Sequence, residues 1–170
     1  MKPQPQHPTV DQVWAWLAEV SDPESPVISV EDLGIVREVF WRDEVLHVAI
    51  TPTYSGCPAT RVIEQDIGKA LRERGLAQVH LETRISPPWT TDWLSEHGRE
   101  KLTAYGIAPP TGSAIPIAEI SGGQRPLLRI VCPRCGSDQT RKISDFGSTP
   151  CKAHYVCQSC MEPFDYFKCI

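Results

Sequence analysis

The chain lacks both an excess of basic residues and a long apolar run. Its 170 residues include 17 Lys and Arg against 21 Asp and Glu, a formal net charge of −4. Binding to nucleic acid by phosphate neutralisation needs clustered positive charge in excess, so a nucleic-acid partner is not expected, although Arg129, Arg134, Arg141 and Lys142 lie close in sequence. No apolar stretch approaches the roughly 18 residues of a membrane span.

The first residues, MKPQPQHP, also lack the apolar core of a secretory signal peptide. Together these absences predict a cytoplasmic protein with no membrane partner. In a reducing compartment, the seven cysteines are expected to be metal ligands or reactive thiols and not disulfides.

Cysteine is itself absent over most of the chain. Cys57 stands alone, and the other six cysteines all follow residue 130. The chain therefore divides into a larger part with an ordinary share of aliphatic residues and a short cysteine-rich end. Because that end has too few aliphatic side chains for a core, it is expected to need a metal to fold.

Apolar periodicity predicts a small α+β layer in the larger part. Thr9 should cap a helix, with Gln12 completing a capping box, and that helix should end near residues 21–23. The acidic segment DPESPVISVEDLG is predicted to be an irregular loop, followed by a hairpin of the strands IVREVFW and VLHVAITPT. Next come a second helix ended by Gly75, a third strand over residues 79–85, and a short helix from Glu96 to Tyr105 ended by Gly106.

These patterns predict three segments. An α+β domain covers residues 1–108, a linker rich in Pro, Gly and Ser covers residues 109–126, and a zinc-ribbon-like metal-binding domain covers residues 127–170.

Two C-x2-C pairs form the strongest motif. Each pair can offer two thiolates on one turn, and two such turns complete a tetrahedral S4 site. Pro133 suits the first turn, and Gly136 permits the positive φ at which backbone N–H groups point at sulfur, whereas Met161 stands where a glycine would be ideal in the second. The predicted ligands are Cys132, Cys135, Cys157 and Cys160.

Structural zinc is the favoured occupant of this site. Iron in the same S4 geometry and a disulfide or redox pair remain open. Cys151 and Cys169 are candidate extra ligands or bystanders, and His154 is expected to be a surface residue.

Cys57 lies in the stretch TYSGCPAT, between a predicted strand and a predicted helix. Gly56 allows an unusual backbone angle and Pro58 suits a first helical turn, which would place Cys57 at or near the helix N-cap. There, free N–H groups and the helix dipole stabilise a thiolate. Thr53 and Ser55 add hydroxyl donors.

The alternative for Cys57 is a buried cysteine that packs as a small apolar residue. His47 is the nearest histidine in sequence, but nothing indicates that it acts as a base. Catalytic acyl transfer is therefore not expected. A metal or sulfide ligand, or a persulfide-type thiol, fits better.

The acidic loop before the hairpin is the other candidate feature. Its carboxylates could face Cys57, or they could belong to a solvated loop with capping roles, in which Asp32 caps the turn at Leu33-Gly34. The residues concerned are Asp22, Glu24, Glu31 and Asp32.

The motifs DPESPVISVEDLGIV and TPTYSGCPA resemble the iron–sulfur assembly domain of SufT and MIP-eighteen type, over about residues 10–85. With PPWTTDWLSEHGREKLTAYGIAPP and the cysteine-rich tail, the whole chain resembles the PaaD family (also labelled PaaJ) of bacterial phenylacetyl-CoA epoxidase systems. This resemblance implies an accessory protein of a multicomponent monooxygenase in phenylacetate breakdown. Its oxygenase would carry a di-iron centre, and its reductase a flavin and an iron–sulfur cluster.

The resemblance further implies that Cys57 is the functional cysteine, with Asp22, Glu24 and Asp32 as the acidic positions of the first loop. The chain would help to mature iron or iron–sulfur centres of epoxidase subunits or work with iron–sulfur assembly proteins, holding iron or a cluster transiently and having no activity alone. The alternative is an integral electron-transfer or structural subunit. A homo-oligomer remains open.

Overall fold

The computed structural model describes residues 7–111 and 129–168. Most of the predicted linker and Cys169 lie outside the described residues. The chain divides into two compact units, Met1–Trp89 and Thr90–Ile170. The predicted domain boundary lies after residue 108, whereas the division into units falls after Trp89.

Within its described residues, the first unit has two helices and five strands. Its helices are α1 (Val10–Leu17) and α2 (Thr60–Glu73), and its strands are β1 (Ser21–Asp22), β2 (Ser25–Ser29), β3 (Val36–Arg42), β4 (Val45–Ile50) and β5 (Val79–Thr83). The predicted capping box is present, because Thr9 accepts from the N–H of Gln12 and the Gln12 side chain accepts from the N–H of Thr9.

Two expectations for this unit were wrong. Helix α1 ends at Leu17 and not near residues 21–23, because Ser21–Asp22 is strand β1. The acidic segment is not an irregular loop, since β1 pairs antiparallel with β2 across a turn at Pro23 and Glu24.

The central sheet of the first unit has the order β3-β4-β5. Strands β3 and β4 form the predicted hairpin, whose turn residues Asp43 and Glu44 both have positive φ, as a type I′ turn requires. Strand β5 runs parallel to β4, and α2 forms the crossover. Helix α1 contacts α2 and β3, and α2 contacts β5. The helices bury Val13, Leu17, Ile67 and Leu71, and β4 buries Leu46 and Val48.

The described part of the second unit, residues 90–111 and 129–168, has one α-helix and a four-stranded sheet. A 3-10 turn (Thr91–Trp93) precedes α3 (Glu96–Tyr105), and the strands are β6 (Ile107–Ala108), β7 (Thr140–Ser144), β8 (Lys152–Cys157) and β9 (Pro163–Phe167). The sheet order is β6-β9-β8-β7, with β6 parallel to β9. As predicted, α3 ends at Gly106, whose φ is 96°.

The pairing of β6 with β9 gives a physical reason for the division after Trp89. Residues 107 and 108 are hydrogen-bonded into the ribbon sheet, and the α3 that precedes them contacts β6. Among the described residues, no helix is both long and apolar enough to cross a membrane.

Candidate metal centre and the Cys57 loop

The four predicted thiols converge in the second unit. All four sulfur atoms lie within 4.8 Å of one another. The Cys132 and Cys160 sulfurs are 3.8 Å apart, and those of Cys135 and Cys157 are 3.6 Å apart. Tetrahedral zinc, with Zn–S bonds of about 2.3 Å, sets its sulfurs about 3.8 Å apart. The observed spacing therefore fits one tetrahedral metal ion.

The spacing does not fit disulfides. An S–S bond is about 2.05 Å long, and all six cysteines in the described part of the chain are free. Cys132 and Cys157 are buried, Cys160 is half-buried and Cys135 is exposed. The site is thus closed on its inner side and open to solvent at one ligand.

Each pair of ligands is set by a tight turn that the sequence determines. In the first, the N–H of Gly136 donates to the carbonyl of Cys132, and Gly136 has the expected positive φ of 74°. In the second, Met161 adopts φ 61°. A left-handed conformation is costly for methionine, so the second turn is the more strained one.

Backbone N–H groups stabilise one ligand as a thiolate. The N–H groups of Cys160 and Ser159 lie 3.5 and 3.4 Å from the Cys157 sulfur. The Cys160 N–H is the main reason that the pKa of Cys157 is lowered to about 6, although burial opposes the shift. The N–H of Glu162 lowers the pKa of Cys160, but burial and the neighbouring thiols outweigh it and raise that pKa to about 12. Without metal, the negative charge is therefore concentrated on Cys157.

The remaining candidates of this unit lie outside the cluster of four. Cys151 is buried, and its sulfur is 3.0 Å from the Thr149 hydroxyl. His154 faces Asp165, with Nδ1 3.4 Å from Oδ1. Neither belongs to the metal-ligating group found among the described residues.

The Cys57 loop joins β4 to α2 in the first unit. Cys57 is half-buried, its N–H donates to the Tyr54 carbonyl at 3.1 Å, and its carbonyl accepts from the N–H of Thr60 at 3.2 Å. Thr53 is buried and Ser55 is exposed. The loop is therefore a chain of tight turns that leaves part of Cys57 exposed.

Cys57 lies near the N-cap of α2, as expected, but two local details of the loop differ from those that the sequence suggested. Ala59 is the N-cap of α2, so Cys57 lies two residues before the cap and Pro58 lies outside the helix. Gly56 does not adopt the left-handed conformation, because its φ is not positive. The sulfur is near the helix N-terminus in sequence, but it is not a capping group.

The acidic residues are less exposed than a solvated loop would leave them. Asp22 and Asp32 are each 6% exposed, and Glu24 is half-buried. The Asp32 carboxylate accepts from the N–H of Ser29 at 3.1 Å, and the Ser29 hydroxyl accepts from the N–H of Asp32 at 3.0 Å. Asp32 thus caps the turn that begins at Ser29, one turn earlier than expected.

Sequence reasoning missed the residue that holds the next turn in place. Trp89 is buried, and its indole N–H donates to the carbonyl of Leu33 at 2.8 Å. The motif PPW was a signal for this contact, but its partner could not be read from sequence. That the acidic residues face Cys57 stays a prediction.

Comparisons with known proteins cover both units. A family described as "Iron-sulfur cluster assembly protein" matches residues 10–80, and one described as "PaaD zinc beta ribbon domain" matches residues 120–168. A crystal structure of a domain of unknown function (DUF59) from Bacillus anthracis matches with 25% identity and a TM-score of 0.51, over 55% of this chain and 90% of that one. The predicted α+β fold with a zinc ribbon is confirmed.

Two relatives show what this chain is similar to, one over about half of its length and one over nearly all of it. The Fe-S protein maturation auxiliary factor YitW of Bacillus subtilis is 32% identical over 54% of this chain and 91% of its own length. An Escherichia coli K12 protein named as a subunit of 1,2-phenylacetyl-CoA epoxidase is 47% identical over 96% of this chain and 94% of its own length. The predicted resemblance is confirmed, and the accessory role that it implied is supported. The chain therefore belongs to the PaaD family of phenylacetyl-CoA epoxidase systems.

Proposed function

We propose that this chain is a maturation factor that helps to load iron or iron–sulfur centres into the proteins of a phenylacetyl-CoA epoxidase system. Cys57 would hold iron, a cluster or sulfur transiently, and the ribbon would dock the partner. The observation that carries this proposal is the placement of one partly exposed thiol in the assembly-type unit and of a cluster of four thiols in the other.

The first unit supports a role for Cys57. It is the only cysteine among residues 1–89 and lies within the segment that matches the iron–sulfur cluster assembly family. Its relative from Bacillus subtilis carries the name of a maturation auxiliary factor. A partly exposed thiol in a loop with a buried threonine and an exposed serine can bind a metal ion without a resident cofactor filling the site.

The second unit supports a structural metal. The sulfur spacing suits zinc, and four protein ligands leave no coordination position for substrate. Zinc has no redox chemistry, so a zinc-filled ribbon would hold the unit together without passing electrons. We propose zinc as the resident metal and the cytoplasm as the place where the chain works.

An integral subunit of the epoxidase is the second candidate. It is favoured by the name of the Escherichia coli relative, which refers to a subunit and not to a maturation factor. If iron occupied the S4 site, this chain could pass electrons during turnover. Purified chain that contains zinc and no iron would exclude that form of the alternative.

Iron content of the partner tests the proposal. The oxygenase would be purified from cells that carry the unaltered chain, the Cys57→Ala chain or no chain, and its iron measured by mass spectrometry. Gln65→Ala is the control, because it alters an exposed residue of α2 that has no proposed role at Cys57. Iron is expected to fall with Cys57→Ala and without the chain, but not with Gln65→Ala. Equal iron in all four samples would overturn the proposal.

A further inference from the structure

Two histidines of the first unit lie side by side on the central sheet. His47 of β4 and His80 of β5 are direct partners in the parallel register, and their ring centres are 4.9 Å apart. His80 is exposed and His47 is half-buried. Phe40 of β3, the register partner of His47, stacks on it with ring centres also 4.9 Å apart and an interplanar angle of 7°.

The imidazole nitrogens are not used elsewhere in the described part of the chain. Among the described residues, the two rings make aromatic contacts with each other and, for His47, with Phe40, and neither ring is hydrogen-bonded. The Phe40 stack restricts the rotation of His47, which lowers the entropic cost of holding it in one orientation. Two unengaged imidazoles are thus held together at a solvent-accessible place.

The ring separation fits two ligands of one metal ion. With metal–nitrogen bonds of about 2.0–2.1 Å at a tetrahedral centre, two imidazoles have ring centres about 5 Å apart. We propose that His47 and His80 form a binding site for a divalent transition-metal ion of the kind that imidazole prefers, Zn²⁺, Ni²⁺ or Cu²⁺. Two protein ligands leave the other coordination positions to water, so the bound ion exchanges readily.

The charges around the pair permit a cation. Arg84 is hydrogen-bonded to Glu38 at 2.7 Å and to Glu82 at 2.9 Å, while Arg42 lies over the Phe40 ring. Arg84 and, more weakly, both histidines lower the pKa of Glu82, which keeps a carboxylate charged beside the pair. The positive charges of the two arginines balance the negative charges of the two glutamates. The affinity of the site for a metal ion therefore comes from the two imidazoles. This site is independent of Cys57 and of the proposed function.

Zinc titration of the full chain tests the site. The Cys57→Ser chain with its ribbon already filled with zinc would be titrated with further Zn²⁺, and histidine side-chain resonances followed by NMR. Signals of His47 and His80 are expected to move together on one curve with one added ion, while those of His97 stay unchanged. His80→Gln should weaken binding at least about tenfold, since even an outer-shell partner contributes that much.

His97→Gln is the control, because His97 is an exposed histidine of the other unit. His80 is itself exposed, so its replacement should not disturb folding, which circular dichroism would verify. The proposal is overturned if the two signals do not move, if they move with different midpoints, or if His97→Gln weakens binding as much as His80→Gln.

Discussion

At the scale of single residues, Gly147 shows how closely the ribbon is packed around Asp165. A β-carbon on Gly147 would lie 2.5 Å from Oδ1 of Asp165 and 3.3 Å from the backbone of Ala153. The Asp165 carboxylate also accepts from the N–H of Ser148 and faces His154. We expect Gly147→Ala to destabilise the second unit by about 1–3 kcal/mol, the usual cost of forcing an atom into packed structure.

Gly56→Ala is the matched control for this prediction. Gly56 has no positive φ, and its β-carbon would meet only the Tyr54 ring at 4.0 Å, an ordinary contact. Thermal unfolding of both zinc-loaded variants should show a lower transition for Gly147→Ala alone. Equal unfolding temperatures for the two variants would contradict the prediction, because the loop at Gly147 would then accommodate a β-carbon without a loss of stability.

The lowered pKa of Cys157 limits the number of protons that zinc binding displaces. Its pKa of about 6 leaves it largely deprotonated at pH 7.5, whereas Cys160, with a pKa of about 12, is protonated there. Zinc must displace the protons that remain on the ligands, so its affinity rises with pH. At pH 7.5 we expect zinc to release no more than about three protons, measured by calorimetry in buffers of different ionisation enthalpy. Release of four would contradict the lowered pKa.

At the scale of elements, α3 and β6 are predicted to depend on the ribbon metal. One buried hydrophobic cluster in the described part of the second unit has seven residues, and two of them, Cys132 and Cys157, are predicted metal ligands. Strand β6 is an edge strand that pairs only with β9 in the described sheet. Removing the metal should therefore unfold the ribbon and release β6, since structural zinc contributes directly to folding.

Hydrogen exchange of the full chain with and without a chelator tests this dependence. Amides of β6, β8 and β9 should exchange at least about tenfold faster after metal removal, while those of β3 and β4 should keep their protection. The first unit is the internal control, because it has its own buried core. Unchanged protection at Ile107 and Ala108 would show that these residues do not rely on the metal.

Local signals explain which elements could be predicted. Thr9 with Gln12 and Gly106 mark helix ends through contacts within a few residues, and both predictions are confirmed. The pairs β1–β2 and β6–β9 were not predicted. Strand β6 pairs with β9 across more than 50 residues of sequence. A strand of two residues is too short to show the alternation of apolar and polar residues by which strands are predicted.

At the scale of the whole molecule, the two candidate sites differ in how much of each could be predicted from the sequence. The cluster of four thiols could be predicted, because the C-x2-C spacing itself sets both pairs of cysteines. The surroundings of Cys57 could not, because the caps at Asp32 and Ala59 and the Trp89 contact depend on tertiary structure. The His47–His80 pair depends on the parallel register of β4 and β5, which sequence alone does not give.

As a maturation factor, the chain would act before turnover and not during it. The most direct measurement is the epoxidation rate of an oxygenase matured in cells that contain this chain, then purified away from it and assayed with its reductase. If the chain is a maturation factor, this oxygenase is active without the chain, and oxygenase from cells with the Cys57→Ala form is iron-poor and inactive. An iron-loaded oxygenase that stays inactive until the chain is added back would contradict the claim and identify the chain as a working subunit.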